Sequence, residues 1–123
     1  MAVILIVEDD VFICDYAEMI VQDFGHEPHL AGDVETALSL LHSSQHFDVL
    51  FTDIQLRTEL LGGCLLARQA VKLRPTIRVL YTTGSIVCET LKAEFVKGAN
   101  VIGKPYSESS LRNSLELLLS TQM

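Results

Sequence analysis

Residues 3–7 read Val-Ile-Leu-Ile-Val, apolar without a break and mostly β-branched. A strand with one wet face alternates polar and apolar residues. An unbroken run suits a central parallel strand covered on both faces. The run stops abruptly at three acids, Glu8, Asp9 and Asp10. Phe12, Ile13, Tyr16, Ala17, Ile20, Val21 and Phe24 then recur at helical spacing, and Gly25 ends the helix. Strand, acidic loop and helix form the opening of an α/β unit.

The unit repeats along the chain. Pro28 to Ala31 is a short, weak strand, placed near a sheet edge by its proline. Asp33 can cap a helix whose apolar face is Ala37, Leu38 and Leu41. Phe47 to Thr52 is a second strongly apolar strand, and it runs into Asp53. A polar loop through Arg57, Thr58 and Glu59 follows, Gly62 and Gly63 are expected to make a turn, and Leu65 to Leu73 to form a helix that Pro75 breaks. Ile77 to Thr82 is the fourth strand. Val87, Leu91 and Phe95 mark a short helix, Val101 and Ile102 the core of a fifth strand, and Ser107 the cap of a last helix carrying Leu111, Leu115, Leu118 and Leu119. Five strands alternating with five helices predict a doubly wound α/β fold: a parallel sheet with helices on both faces and right-handed crossovers. The last helix closes near the end of the 123 residues, so one domain over 1–123 is expected.

Composition narrows the function. The chain is 49% apolar, enough to bury a core, and has 9 Lys and Arg against 16 Asp and Glu, a net charge of −7. That balance argues against a nucleic-acid or anionic-membrane surface. Cys14, Cys64 and Cys88 are odd in number and lack the close spacing of a metal or redox motif. A reduced, cytoplasmic chain with buried cysteines is expected. No apolar run reaches membrane-spanning length, and no basic leader precedes the first strand.

In an open α/β sheet the functional crevice lies beyond the carboxyl ends of the strands. Glu8 and Asp9 follow the first strand, Asp53 the third, Thr83 the fourth and Lys104 the fifth. If the first and third strands are neighbours, three carboxylates converge and repel one another unless something neutralises them. Oxygen-rich sites of this kind suit Mg²⁺, and Lys104 and the Thr83 hydroxyl add the donors that a transferred phosphoryl group needs. Any one of these residues alone reads more simply as a cap, a turn residue or a surface lysine; their register is what points to function. Asp10 fits a helix cap better than a ligand, and His26, His29, His42 and His46 lie away from the crevice.

The stretches ILIVEDD (4–10), VLFTDIQL (49–56), VLYTTG (79–84) and GKPY (103–106) carry a resemblance over nearly the whole chain. The sequence resembles a response-regulator receiver domain, of the kind typified by the bacterial chemotaxis regulator. The resemblance implies a flavodoxin-like (βα)5 domain with strand order 2-1-3-4-5. It implies phosphorylation of an aspartate by a histidine kinase or a histidine phosphotransfer protein, with Mg²⁺ required. Asp53 then matches the phosphoacceptor, Asp9 the carboxylate that binds Mg²⁺ directly, and Glu8 its acidic neighbour. The Gln55 backbone carbonyl would be a further ligand, Thr83 the switch hydroxyl, and Lys104 the lysine that bonds a phosphoryl oxygen. The Lys104-Pro105 bond is often cis in the family. The chemistry is self-consistent: Asp53 attacks phosphorus, an imidazole leaves, and the acyl phosphate formed is labile to water, so the domain also catalyses its own dephosphorylation. Gln55 and Ser85 flank the crevice and could tune access of water.

Three departures stand out. Arg57 occupies a place where the family usually has proline, and Gly62 lies one residue later than the usual loop glycine; in this the chain is similar to a subgroup frequent among alphaproteobacterial single-domain receivers. Val101 replaces the aromatic switch residue three before the lysine, leaving Tyr81 and Tyr106 as possible substitutes. Gly84 and Gly103 flank the site. Val101 and the altered loop speak for a second reading, a phosphorylation-independent interaction module of receiver fold; against it stands the complete set of acids, Thr83 and Lys104, which a decayed site would not need. A small-molecule phosphohydrolase lacks the cap and pocket residues it would need. The expected protein is a receiver, monomeric or weakly dimeric, with an undefined downstream protein partner; a stand-alone receiver is the favoured form, and a phosphate shuttle or sink or a receiver excised from a larger regulator or hybrid kinase stays open.

Overall fold

The computed structural model describes residues 1–57 and 59–120; Thr58, within the predicted polar loop, and residues 121–123 lie outside the described set. Five strands and five helices alternate: β1 (Val3–Val7), α1 (Val11–Asp23), β2 (Glu27–Ala31), α2 (Val34–His42), β3 (Val49–Asp53), α3 (Gly62–Leu73), β4 (Arg78–Thr83), α4 (Glu89–Lys92), β5 (Asn100–Gly103) and α5 (Glu108–Ser120). The strands form one parallel sheet in the order β2-β1-β3-β4-β5. The central strands are covered on both sides. Leu5, Val7, Leu50, Val79 and Tyr81 face α2 and α3, while Ile4, Ile6, Val49, Phe51 and Leu80 face α1 and α5. The unbroken apolar runs of β1 and β3 are thus divided by the pleat between two cores.

Local chemistry sets most boundaries. The Asp10 carboxylate accepts from the amides of Phe12 (2.9 Å) and Ile13 (3.1 Å) and starts α1. Asp33 caps α2 through the Thr36 amide at 2.7 Å. Ser107 accepts from the Ser110 amide at 3.0 Å while Ser110 accepts from the Ser107 amide at 3.1 Å, a reciprocal cap for α5. Gly25, at φ +81°, follows the end of α1 in the left-handed conformation that glycine tolerates.

Four details differ from the sequence expectation. Phe12 is 84% exposed, because the buried stripe of α1 runs through Cys14, Ala17, Ile20 and Val21 and leaves Phe12 on the outer side of the first turn. Gly62 and Gly63 open α3 and do not form a separate turn before it. A Cβ on Gly63 would lie 1.9 Å from the Asp53 carbonyl oxygen, so helix and strand meet there only because the residue is glycine. The helix marked by Val87, Leu91 and Phe95 shrinks to one turn, α4, with no buried residue. Cys88 precedes that turn without a side-chain capping bond and is exposed, whereas Cys14 and Cys64 are buried as expected.

Candidate functional site

β1 and β3 are hydrogen-bonded neighbours, with Val7 opposite Thr52. The next residue of each strand must therefore emerge side by side, and these are Glu8 and Asp53. Carboxylate oxygens of Glu8, Asp9 and Asp53 all lie within 4.8 Å of one another. On the far side of β3, β4 ends at Thr83, opposite Gly103 of β5, which delivers Lys104 to the same edge. The Lys104 amide donates to the Thr83 carbonyl at 2.8 Å, and the Lys104-Pro105 peptide is cis. The Lys104 ammonium lies 2.7 Å from Glu8 Oε1 and 2.8 Å from Asp53 Oδ2.

Glu8 and Asp53 are buried, and Asp9 is exposed. Burial pushes the Glu8 carboxyl above its ordinary range, and the hydrogen bond from Lys104 offsets this only in part. Asp53 is raised for the same reason. Burial alone would lower Lys104, but its bonds to Asp53 and Glu8 outweigh it and hold the ammonium charged. One cation thus stands against three carboxylates. The donor set is hard oxygen with two negative charges in excess, and the exposed Asp9 gives access from solvent. These residues fit a divalent cation of the Mg²⁺ type.

A cleft of about 300 Å³ opens over the cluster, lined by Asp9, Asp53, Gln55, Arg57, Thr83 and Lys104, with Gly84 and Ser85 at its rim. All the predicted site residues except Glu8 line it; Glu8 lies beneath, bonded to Lys104. Thr83 Oγ1 accepts from the Ser85 amide at 3.1 Å, which leaves its own proton free to be donated. Gly84 has open space where a side chain would be. Three of the four histidines are engaged elsewhere: His29 with Glu27 (2.6 Å), His46 with Asp48 (2.8 Å), and His26 Nδ1 as acceptor from the Ala2 amide (3.0 Å).

One contact was not foreseen. The Arg57 amide donates to Asp9 Oδ2 at 3.0 Å, with Arg57 at φ +55°. Proline could make neither feature, since it has no N–H and holds φ near −65°. The sequence signal was present in the replacement of the usual proline by Arg57, but its meaning required the turn. Leu56 and Glu59 pair across that turn by two backbone bonds, of 3.0 and 2.9 Å.

The chain matches the family model described as the response regulator receiver domain over residues 4–116. Among solved structures it is similar to NtrX from Brucella abortus, at 32% identity and a TM-score of 0.86 over 98% of this chain, and it spans only 27% of that protein's length. A CheY-like receiver domain protein from Methanospirillum hungatei is 27% identical with a TM-score of 0.80, covering 95% of this chain and 92% of that one. A receiver protein from Sinorhizobium medicae shares the fold, with a TM-score of 0.88 at 22% identity and coverage of 98% and 95%. With its sheet order, its acid cluster and this match in view, the chain belongs to the response-regulator receiver domain family, the signal-accepting module of two-component systems.

Proposed function

We propose that this protein is a phosphorylatable receiver, one domain over residues 1–123, that takes a phosphoryl group on Asp53 from a histidine kinase or histidine phosphotransfer protein and thereby changes its binding to a downstream protein. The observation that carries this reading is the meeting of Asp53, Glu8, Asp9 and Lys104 at one edge of the sheet.

Asp53 is the nucleophile. Its carboxylate oxygen bonds phosphorus as the bond to the donor's imidazole nitrogen breaks, and the electron pair leaves with the imidazole. Lys104 favours the ionised form of Asp53 against the effect of burial and can follow the charge onto the new phosphoryl oxygens. The Thr83 hydroxyl, with its oxygen already accepting from Ser85, has a proton to give to the same group. Glu8, Asp9, Asp53 and the Gln55 carbonyl would hold Mg²⁺, which supplies charge neutralisation for the transferring phosphoryl group. Gln55 and Ser85 border the path of the water that later hydrolyses the acyl phosphate. The reading places this signalling protein in the cytoplasm, monomeric or weakly dimeric; its net charge is −7, and none of the described helices is long and apolar enough to cross a membrane.

The test is incubation with Mg²⁺ and acetyl phosphate followed by intact mass measurement. We expect one adduct of about 80 Da on the wild type and none on Asp53→Asn. No adduct on the wild type, with Mg²⁺ demonstrably bound, overturns the reading.

A further inference from the structure

We propose that Arg57 is a second phosphoryl-binding cation, one that sets the lifetime of the phosphorylated state. The inference deepens the proposed function and rests on it.

Among the described residues lining the cleft, only Arg57 and Lys104 carry positive charge. They are held differently. Lys104 is fixed between two buried carboxylates. Arg57 is fixed only at its backbone, by the amide bond to Asp9, in a left-handed conformation. Such a conformation in a non-glycine residue is uncommon and needs support from its surroundings. The Asp9 bond supplies that support and pins the Arg57 backbone beside the acid cluster. The guanidinium is loose: its one ion pair among the described residues, to Asp33, spans 4.0 Å, with the two side chains 66% and 39% exposed. An exposed pair of this kind contributes little. A phosphoryl group on Asp53 brings close to two negative charges and three acceptor oxygens into the same cleft. It is a stronger anion than Asp33, and the planar guanidinium suits it.

The direction of the effect follows from the chemistry of hydrolysis. A water oxygen bonds phosphorus, the bond from phosphorus to the Asp53 carboxyl oxygen breaks, and its electron pair returns to the carboxylate. Inorganic phosphate leaves, and the water's proton passes to phosphate or solvent. In a loose transition state negative charge moves from the phosphoryl oxygens toward the leaving carboxylate. A guanidinium paired with the peripheral oxygens therefore holds the ground state more than the transition state. Drawn onto the phosphoryl group, it also covers the open mouth of the cleft. Both effects slow hydrolysis, so Arg57 prolongs the signal.

The test follows loss of the acyl phosphate after the donor is removed, in the full chain with Mg²⁺. Arg57→Gln keeps the amide and a similar length but no charge, and it should lose the group roughly fivefold faster than wild type at low salt. Asp33→Asn keeps a capping oxygen on α2 and releases the guanidinium, so it should lose the group about twofold more slowly. Raising salt to about 1 M should speed the wild type toward Arg57→Gln and leave that variant unchanged. Equal lifetimes for wild type and Arg57→Gln, equal salt responses, or faster loss in Asp33→Asn would each overturn the role of Arg57 while leaving Asp53 as acceptor. A wild type that takes no phosphoryl group removes the proposed function, and this inference with it.

Discussion

Lys104 places one positive charge between two carboxylates that burial drives toward protonation. Because the Glu8 and Asp53 carboxyls are raised in the folded state, there is a window of pH in which the native protein holds protons that the unfolded chain has released. Their contribution to stability is present at low pH and is lost as pH rises through those raised values. Asp53→Asn removes one of them. Without divalent cations at pH 7 its urea midpoint should exceed that of wild type, and the gap should close on acidification. A lower midpoint than wild type contradicts this. The comparison cancels Asp33 and Asp48, whose carboxyls are depressed. Gly63 makes a sharper claim on geometry. A methyl group there overlaps the Asp53 carbonyl, so Gly63→Ala should lose about 2–3 kcal/mol in denaturant unfolding. Single residues were also where the sequence was least legible. The Arg57 bond to Asp9 depends on a backbone angle that no periodicity encodes, and the demand for glycine at 63 arises from a strand ten residues earlier in the chain.

At the scale of elements, strong periodicity and short-range capping made most of the fold readable. The β1 and β3 runs, the α1 and α5 stripes and the Asp33 and Ser107 caps each depend on neighbours within a few residues, and each was placed to within a residue or two. The α4 region escaped because its packing is tertiary. Its single turn is followed by loosely coiled residues tied from outside. The Tyr81 hydroxyl accepts from the Val96 amide at 3.1 Å, its ring stacks on Phe95 at 4.5 Å, and Arg68 pairs with Glu94. Burial pushes the Tyr81 hydroxyl up to about 12, so it remains protonated throughout the physiological range. Val101 packs half-buried against the same cluster, and Tyr81 supplies the aromatic bulk there. Tyr81→Phe should cost about 1 kcal/mol and speed hydrogen exchange at the Val96 amide specifically. Unchanged exchange at Val96 would show that the hydroxyl does not fasten this segment.

For the whole molecule, parallel order is what turns scattered acids into a site. Strand ends that are 45 residues apart in sequence, at Glu8 and Asp53, are neighbours in space because β1 and β3 pair. This was legible once the strands were counted, since every polar strand end falls on the same edge of a parallel sheet. The excess negative charge of that edge predicts a stability that depends on a cation. At about a hundred times its dissociation constant, Mg²⁺ should stabilise the fold by about 2.7 kcal/mol, read as a rise in Tm that chelation reverses. Asp9→Asn should abolish most of that rise. An equal rise in wild type and Asp9→Asn would place the cation elsewhere. Reductive trapping asks whether Asp53 itself carries the phosphoryl group. Borohydride converts an aspartyl phosphate to homoserine, and peptide sequencing by mass then locates it. After treatment with acetyl phosphate and Mg²⁺, homoserine is predicted at position 53 alone; homoserine at another aspartate, or at none, would rule out Asp53 as the acceptor.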